Sequence, residues 1–269
     1  MEAMVSDTTM ILPHLSRVGS AKLYGMIAPP KVGIAAFAVD LEGARSSEVA
    51  SAPRVRCASV VKPLLFWVGA DADAFVGDRG AWEGIARPAV TTSDNDATAA
   101  LWSRVGERHL LADLEDRTGV AWTTDGHGEH PSLRLMVTAA ELARAYAAFA
   151  FDGGEAAKDL RRWMRDVEVG QTFGVRAVAS DVVGAAEASI GVKCGWFGAE
   201  RVHAVALAEL QDRIVGGAVT TSWLADPVRG AACREAAGDS AALVAVHDAL
   251  AGDVIRAAMR RALLVAADL

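Results

Sequence analysis

The sequence predicts an α+β protein: an antiparallel sheet covered by helices from both ends of the chain, with an all-helical lobe inserted between its two parts. Three observations carry this. A nearly continuous apolar run of strand length, Val32 to Asp40, stands near the start. Three similar runs joined by short turns, Ala188–Gly195, Val202–Leu207 and Ile214–Thr221, stand in the last third. Between them, apolar residues recur at helical spacing. The first and last thirds therefore share one sheet, with residues 1–58 and 180–269 forming the sheet lobe and 59–179 the mainly helical lobe of one intimate unit.

Taken in order, Leu12, Leu15, Val18 and Leu23 fall on one helical face and predict an N-terminal helix over Thr9 to Leu23, ended by Pro29-Pro30. The Val32–Asp40 strand follows, then turn chemistry at Leu41 to Arg45, with a hairpin partner around Ser47 to Ser51. Ser59 to Ala70 reads as a buried helix, and Pro63 is tolerated there only in the first turn, which puts Ser59 at the helix N-terminus. Asp71 to Arg87 is polar and rich in Gly, Asp and Trp. A helix starts near Asn95 after a Ser/Asp/Asn cluster suited to capping, with Ser93 in the loop before it. Glu107 to Arg117 is amphipathic and closed by Thr118-Gly119. Thr138 to Phe151 is the clearest helix, because Thr138 and Glu141 make the S/T-x-x-E capping box. Ala156 to Val167 continues the helical block. The three late strands form a meander, and Ser240 to Ala267 is one long Ala/Leu/Val-rich helix that covers a sheet face.

At 269 residues with 52% hydrophobic content, the chain has ample material for a core. A net charge of −7 with scattered basic residues excludes a phosphate-backbone footprint, so no nucleic-acid partner is expected. No apolar stretch is long enough to cross a bilayer, so no membrane partner is expected either. The first residues lack a basic region followed by an apolar one, which points to the cytoplasm. Cys57, Cys194 and Cys233 have no C-x-x-C spacing, so free thiols and no metal site are expected.

The chemistry centres on Ser59 and Lys62. Three residues apart at a helix start, they put a hydroxyl and an amine on one face, close enough for the lysine to act on the serine proton. Orphan amide donors at the helix N-terminus favour developing negative charge there. Taken singly, Ser59 also reads as a helix cap and Ser93-Asp94-Asn95 as a capping turn. Lys193 on an apolar strand is harder to place without a role, since a buried ammonium needs a partner.

Together, Ser59-Val60-Val61-Lys62, Ser93-Asp94-Asn95 and Lys193-Cys194-Gly195 resemble the S-x-x-K, S-D-N and K-T-G series of the serine β-lactamases and penicillin-binding proteins. Ala89 to Ala99 and Thr138 to Ala143 are similar to the class A type, and the resemblance runs over nearly the whole chain. It implies that Ser59 attacks a carbonyl while Lys62 takes its proton. Lys193 is then the neighbouring cation, and Ser93 relays a proton to the leaving nitrogen. Asn95 holds substrate and orients Lys62. The amides of Ser59 and Trp196 form the oxyanion site, and Gly195 lets a substrate backbone lie along the strand edge. No cofactor is implied.

The chain departs from the family pattern in three places. Cys194 replaces the hydroxyl residue that contacts a substrate carboxylate, and Arg201 on the next strand is the substitute considered for that task. The deacylating E-x-x-L-N motif is absent; Glu129 is the nearest carboxylate in the corresponding loop, with His127 and His130 beside it. Only 34 positions separate Ser59 from Ser93, which trims the helical lobe. The implied activity is that of a β-lactamase-like serine hydrolase acting through an acyl-serine on an amide, lactam or ester of a small molecule. A cytoplasmic acyltransferase of small-molecule biosynthesis, or a non-catalytic β-lactam- or peptide-binding protein of the same fold, are the alternatives.

Overall fold

The computed structural model of the chain describes residues 29–125, 134–225 and 227–269. Strands β1 (Lys31–Asp40) and β2 (Gly43–Ala50) form a hairpin. A short strand β3 (Val55–Arg56) leads to a single 3-10 turn, Ala58–Val61, and directly into α1 (Lys62–Gly69). Helices α2 (Arg79–Thr91), α3 (Asn95–Val105) and α4 (Glu107–Thr118) follow. The short strands β4 (Thr123–Thr124) and β5 (Leu135–Val137) pair with β3 in a small sheet of order β3-β5-β4. Then come α5 (Ala139–Phe151), α6 (Glu155–Arg165) and α7 (Val175–Val183). The meander β6 (Ile190–Phe197), β7 (Arg201–Glu209) and β8 (Ile214–Ser222) closes the main sheet, followed by α8 (Pro227–Glu235) and α9 (Ser240–Asp268).

The main sheet has the order β2-β1-β8-β7-β6, antiparallel at every pairing, so the first and last parts of the chain do share it. The period-two alternation of β1 sorts its side chains into two cores. Ala35, Phe37 and Val39 face the helical block, while Ile34, Ala36 and Ala38 face the layer built by α7 and α9. Helix α5 lies on one face of the sheet and α9 on the other. The long C-terminal helix thus covers a face as expected, and the cover on the opposite face comes from α5 of the helical block. The helix expected over Thr9 to Leu23 lies outside the described residues.

Every residue of α1 is buried, as the apolar run behind Lys62 requires of a central helix. Around it, the capping box of α5 is complete: the Thr138 hydroxyl accepts from the Glu141 amide, and Glu141 accepts from the Thr138 amide. Helix α2 was unforeseen, because Asp71 to Arg87 reads locally as a polar stretch rich in Gly, Asp and Trp. Trp82, Ala86, Ala89 and Val90 are nevertheless buried along one helical face, with the Trp82 and Trp163 rings 5.5 Å apart. Tertiary burial of that face outweighs the one backbone hydrogen bond that Pro88 removes. Helices α7 and α8 and the small sheet were also unforeseen. Among the described residues, no helix is long and apolar enough to cross a membrane.

Candidate active site

The segment that delivers Ser59 is held from several sides. Arg54 donates to Thr123 Oγ1 at 2.6 Å and to the Ala121 carbonyl at 3.0 Å, and pairs with Glu141. Arg56 Nε donates to Asp125 Oδ2 at 2.6 Å, and its guanidinium lies 5.0 Å from the Phe197 ring centroid. The Cys57 amide donates to the Leu135 carbonyl at 2.8 Å, and the Tyr146 hydroxyl donates to the Val60 carbonyl at 2.7 Å. His203, fully buried, bridges this segment to the main sheet. Its Nδ1 accepts from the Thr221 amide at 3.1 Å, which leaves the proton on Nε2 to be donated to the Arg56 carbonyl at 2.9 Å. Burial pushes this imidazole down to about 4, so it is neutral as the two bonds require.

Within that frame Ala58 adopts φ +51°, a left-handed conformation that costs a non-glycine residue about 1 kcal/mol. Such a residue persists only where its surroundings fix it. Ser59 follows, half-buried, in the 3-10 turn rather than at the α-helix N-terminus itself. Pro63 does fall in the first turn of α1. Ser93 is the second strained residue, with φ +62°. Its loop is pinned by the Thr92 and Asp94 amides donating to the Pro88 carbonyl at 3.1 and 3.2 Å. Asp94 caps α3 by accepting from the Ala97 amide at 2.9 Å.

Lys62 spans from the Ser59 turn to this loop. Its Nζ donates to the Ser93 carbonyl at 2.5 Å, the Asp94 carbonyl at 3.0 Å and Asn95 Oδ1 at 2.8 Å. Those acceptors favour an ammonium, and the Asp94 charge acts in the same direction. Burial and then the nearby Lys193 charge act against it more strongly and bring Lys62 down to about 6. Lys193, also fully buried, donates from Nζ to Ser93 Oγ at 2.9 Å and to the Cys194 carbonyl at 3.3 Å, and burial lowers it to about 8. Both amines are therefore lowered, Lys62 the further, but its three acceptors are satisfied together only by an ammonium, so it must lose a proton before it can accept one.

Gly195 is required by Ser59 itself. A Cβ there would stand 2.5 Å from the Ser59 amide nitrogen and 2.9 Å from that of Val60, so only glycine lets β6 lie against the turn. Trp196 is packed edge-on against Phe173 and beside His247, with centroids 5.8 and 5.6 Å away. A cleft of about 450 Å³ is lined by Ser59, Ser93, Asn95 and Trp196, together with Thr92 and Gln171 and the 237–240 segment ahead of α9.

Two residues expected at the substrate lie elsewhere. Strand alternation turns Cys194 into the core on the opposite face of the sheet, where its thiol reaches the Thr172 carbonyl at 3.7 Å and burial raises it to about 12. Arg201 lies over the Phe197 ring at 5.5 Å and does not line the cleft. Glu129, His127 and His130 lie outside the described residues. The three cysteines are free and buried. Gln171 and Asp239 were not singled out from sequence; Gly238-Asp239-Ser240 reads locally as a helix start, and its arrival at the cleft is a long-range event.

No protein-family model and no curated protein matches the chain. Solved structures do. A variant of the last common ancestor of the Gram-negative bacterial class A β-lactamases is 18% identical with a TM-score of 0.60, over 89% of this chain and 92% of that one. A putative class A β-lactamase from Rhodopseudomonas palustris is 17% identical with a TM-score of 0.53, over 87% and 97%. A β-lactamase from Burkholderia vietnamiensis is 16% identical with a TM-score of 0.54, over 85% and 94%. With likeness running over most of each chain, this protein has the fold of the class A β-lactamases.

Proposed function

We propose that the chain is a β-lactamase-like serine hydrolase that forms an acyl-serine intermediate at Ser59 from an amide, lactam or ester of a small molecule. The observation that carries this reading is the meeting of both motif lysines on the Ser93 loop, with Ser59 in the same cleft. Ser59 Oγ bonds to the substrate carbonyl carbon as its proton passes to Lys62 in its deprotonated form. The bond from that carbon to the leaving nitrogen or oxygen then breaks as Ser93 passes its proton to the departing atom and takes one from the Lys193 ammonium that donates to its Oγ. The amides of Ser59 and Trp196 receive the oxyanion. Asn95 orients Lys62 and contacts substrate.

A second reading, transfer of the acyl group to an acceptor other than water, is favoured by the carboxylate inventory. Among the described residues lining the cleft, the only carboxylate is Asp239, and it is engaged in capping α9. Glu129 remains the residue proposed to activate water.

Intact-mass spectrometry after incubation with a penicillin or a p-nitrophenyl ester tests the reading. A single adduct mapped to Ser59, lost in Ser59→Ala, is expected. An unchanged mass with every electrophile would overturn it. Adduct that persists in water and is discharged by added amines or alcohols would select transfer over hydrolysis.

A further inference from the structure

The cleft has the wrong charge for holding a carboxylate. Among the described residues that line it, Asp239 is the only charged side chain; Trp196, Leu243 and small residues supply apolar wall. The nearby cations are turned to other work. Arg201 lies over Phe197, Arg176 donates to the Met164 and Val167 carbonyls at 3.4 and 3.3 Å, and Arg256 donates to the Phe173 carbonyl at 3.0 Å and pairs with Asp248 and Asp253. Lys62 and Lys193 sit behind the lining with no exposed surface. Cys194 faces the other core.

One charged acceptor, by contrast, is fixed at the cleft. Asp239 Oδ1 accepts from the Ala241 and Ala242 amides at 2.8 and 3.1 Å, which holds the carboxylate in place at the cleft wall. Gln171 Nε2 donates to the Thr92 carbonyl at 3.3 Å and to Glu168 Oε2 at 3.0 Å. Two acceptors on one side fix which end of the amide is nitrogen. Gln171 is 6% exposed, and no donor among the described residues reaches its Oε1. That oxygen has no accessible surface of its own and lies behind the cleft wall.

We propose that the substrate presented to Ser59 carries a protonated amine, as an aminoacyl ester or amide does, and that its ammonium is received by Asp239. This rests on the acyl-serine reading above and names the substrate class of that site. Discrimination comes from one ion pair at a partly open wall, so it is modest, roughly tenfold over a neutral isostere.

The test uses p-nitrophenyl esters of three straight-chain acyl groups of similar length, ending in an ammonium, a methyl and a carboxylate. Nitrophenolate release by the whole chain gives kcat/KM for each. The ammonium ester should lead the methyl ester by about tenfold, and the carboxylate ester should trail. Asp239→Asn keeps an oxygen that can cap α9 and removes the charge, so the protein stays folded and the lead collapses toward unity. Asp239→Lys should invert the order. In parallel, binding of the corresponding unreactive amides to Ser59→Ala is followed by NMR titration, with the ammonium amide binding tighter than the methyl one. Acylation at Ser59 with no charge preference in wild type would overturn this inference and leave the acyl-serine reading standing. No acylation, with the binding preference intact and lost in a Ser59→Ala/Asp239→Asn protein, would do the reverse. An unchanged ester preference in Asp239→Asn, with only discharge of the acyl-enzyme slowed, would also overturn it, by making Asp239 a base for water.

Discussion

Lys193 Nζ donates to Ser93 Oγ at 2.9 Å, and the same ammonium, second only to burial, holds Lys62 down to about 6. One cation thus contacts Ser93 and favours the neutral form of Lys62. The acylation rate should be bell-shaped in pH. It rises as Lys62 loses its proton near about 6 and falls as Lys193 loses its own near about 8. In Lys193→Met the acid limb should move to higher pH, because the repulsion that lowers Lys62 is gone. Stopped-flow acylation across pH 5 to about 9.5 checks this. An acid limb that does not move would remove Lys193 from control of the base.

The His203 bridge yields a prediction about stability. A histidine that is held neutral by the fold binds fewer protons folded than unfolded between its folded value of about 4 and the unfolded value near 6.5. Its contribution is therefore complete above about 6.5 and is lost as pH falls through about 4. His247, buried beside Trp196 and also brought down to about 4, acts with the same sign. The melting temperature should fall across that window, more shallowly in His203→Phe. At neutral pH that variant leaves the Thr221 amide and Arg56 carbonyl unpaired and should lose about 2 to 4 kcal/mol. It should also acylate more slowly, since the strand before Ser59 loses its tether. A parallel set of urea melts at pH 7 and about 4.5 reads both effects.

The capping box predicts a smaller change far from the cleft. Thr138→Ala removes the acceptor for the Glu141 amide and loosens the Glu141 carboxylate that pairs with Arg54. The cost should be about 1 to 2 kcal/mol, with acylation changed less than twofold if the remaining tethers hold the Ser59 turn. A rate loss much larger than the stability loss would assign Arg54 a share in placing the nucleophile.

What was legible in the sequence is what local rules govern. The Thr138/Glu141 box, the Asp94–Asn95 helix start, the apolar run of β1 and the meander are all set by residues within a few positions of one another. The motif residues Ser59, Lys62, Ser93 and Lys193 could be picked out because their order resembles a known motif series; singly, only Lys193 on its apolar strand is unusual for its setting. What failed depended on the far side of the fold. Pro88 was allowed inside α2 by the burial of Trp82 against the helical block. Cys194 and Arg201 could not be assigned a direction until the register Gly195–His203 and Phe197–Arg201 was fixed. Gln171 and Asp239 carry no motif, and only tertiary folding brings them to the wall that Ser59 lines.

Gly195 and Gly84 make a matched test of how closely β6 approaches the nucleophile. A methyl at residue 195 would stand 2.5 Å from the Ser59 nitrogen, and its neighbours on that side are backbone, which cannot rotate away. Gly195→Ala must push β6 and the Ser59 turn apart, at about 1 to 3 kcal/mol of stability. Because the Ser59 and Trp196 amides stand on the two sides of that contact, acylation should fall at least about a hundredfold. Gly84, in the middle of α2, has nothing within 4 Å of an added Cβ. Gly84→Ala should stabilise the protein by about 0.5 to 1 kcal/mol and leave acylation unchanged. Thermal melts and burst kinetics on the pair separate the two effects. Equal acylation by wild type and Gly195→Ala would mean that the strand and the turn need not touch for Ser59 to react.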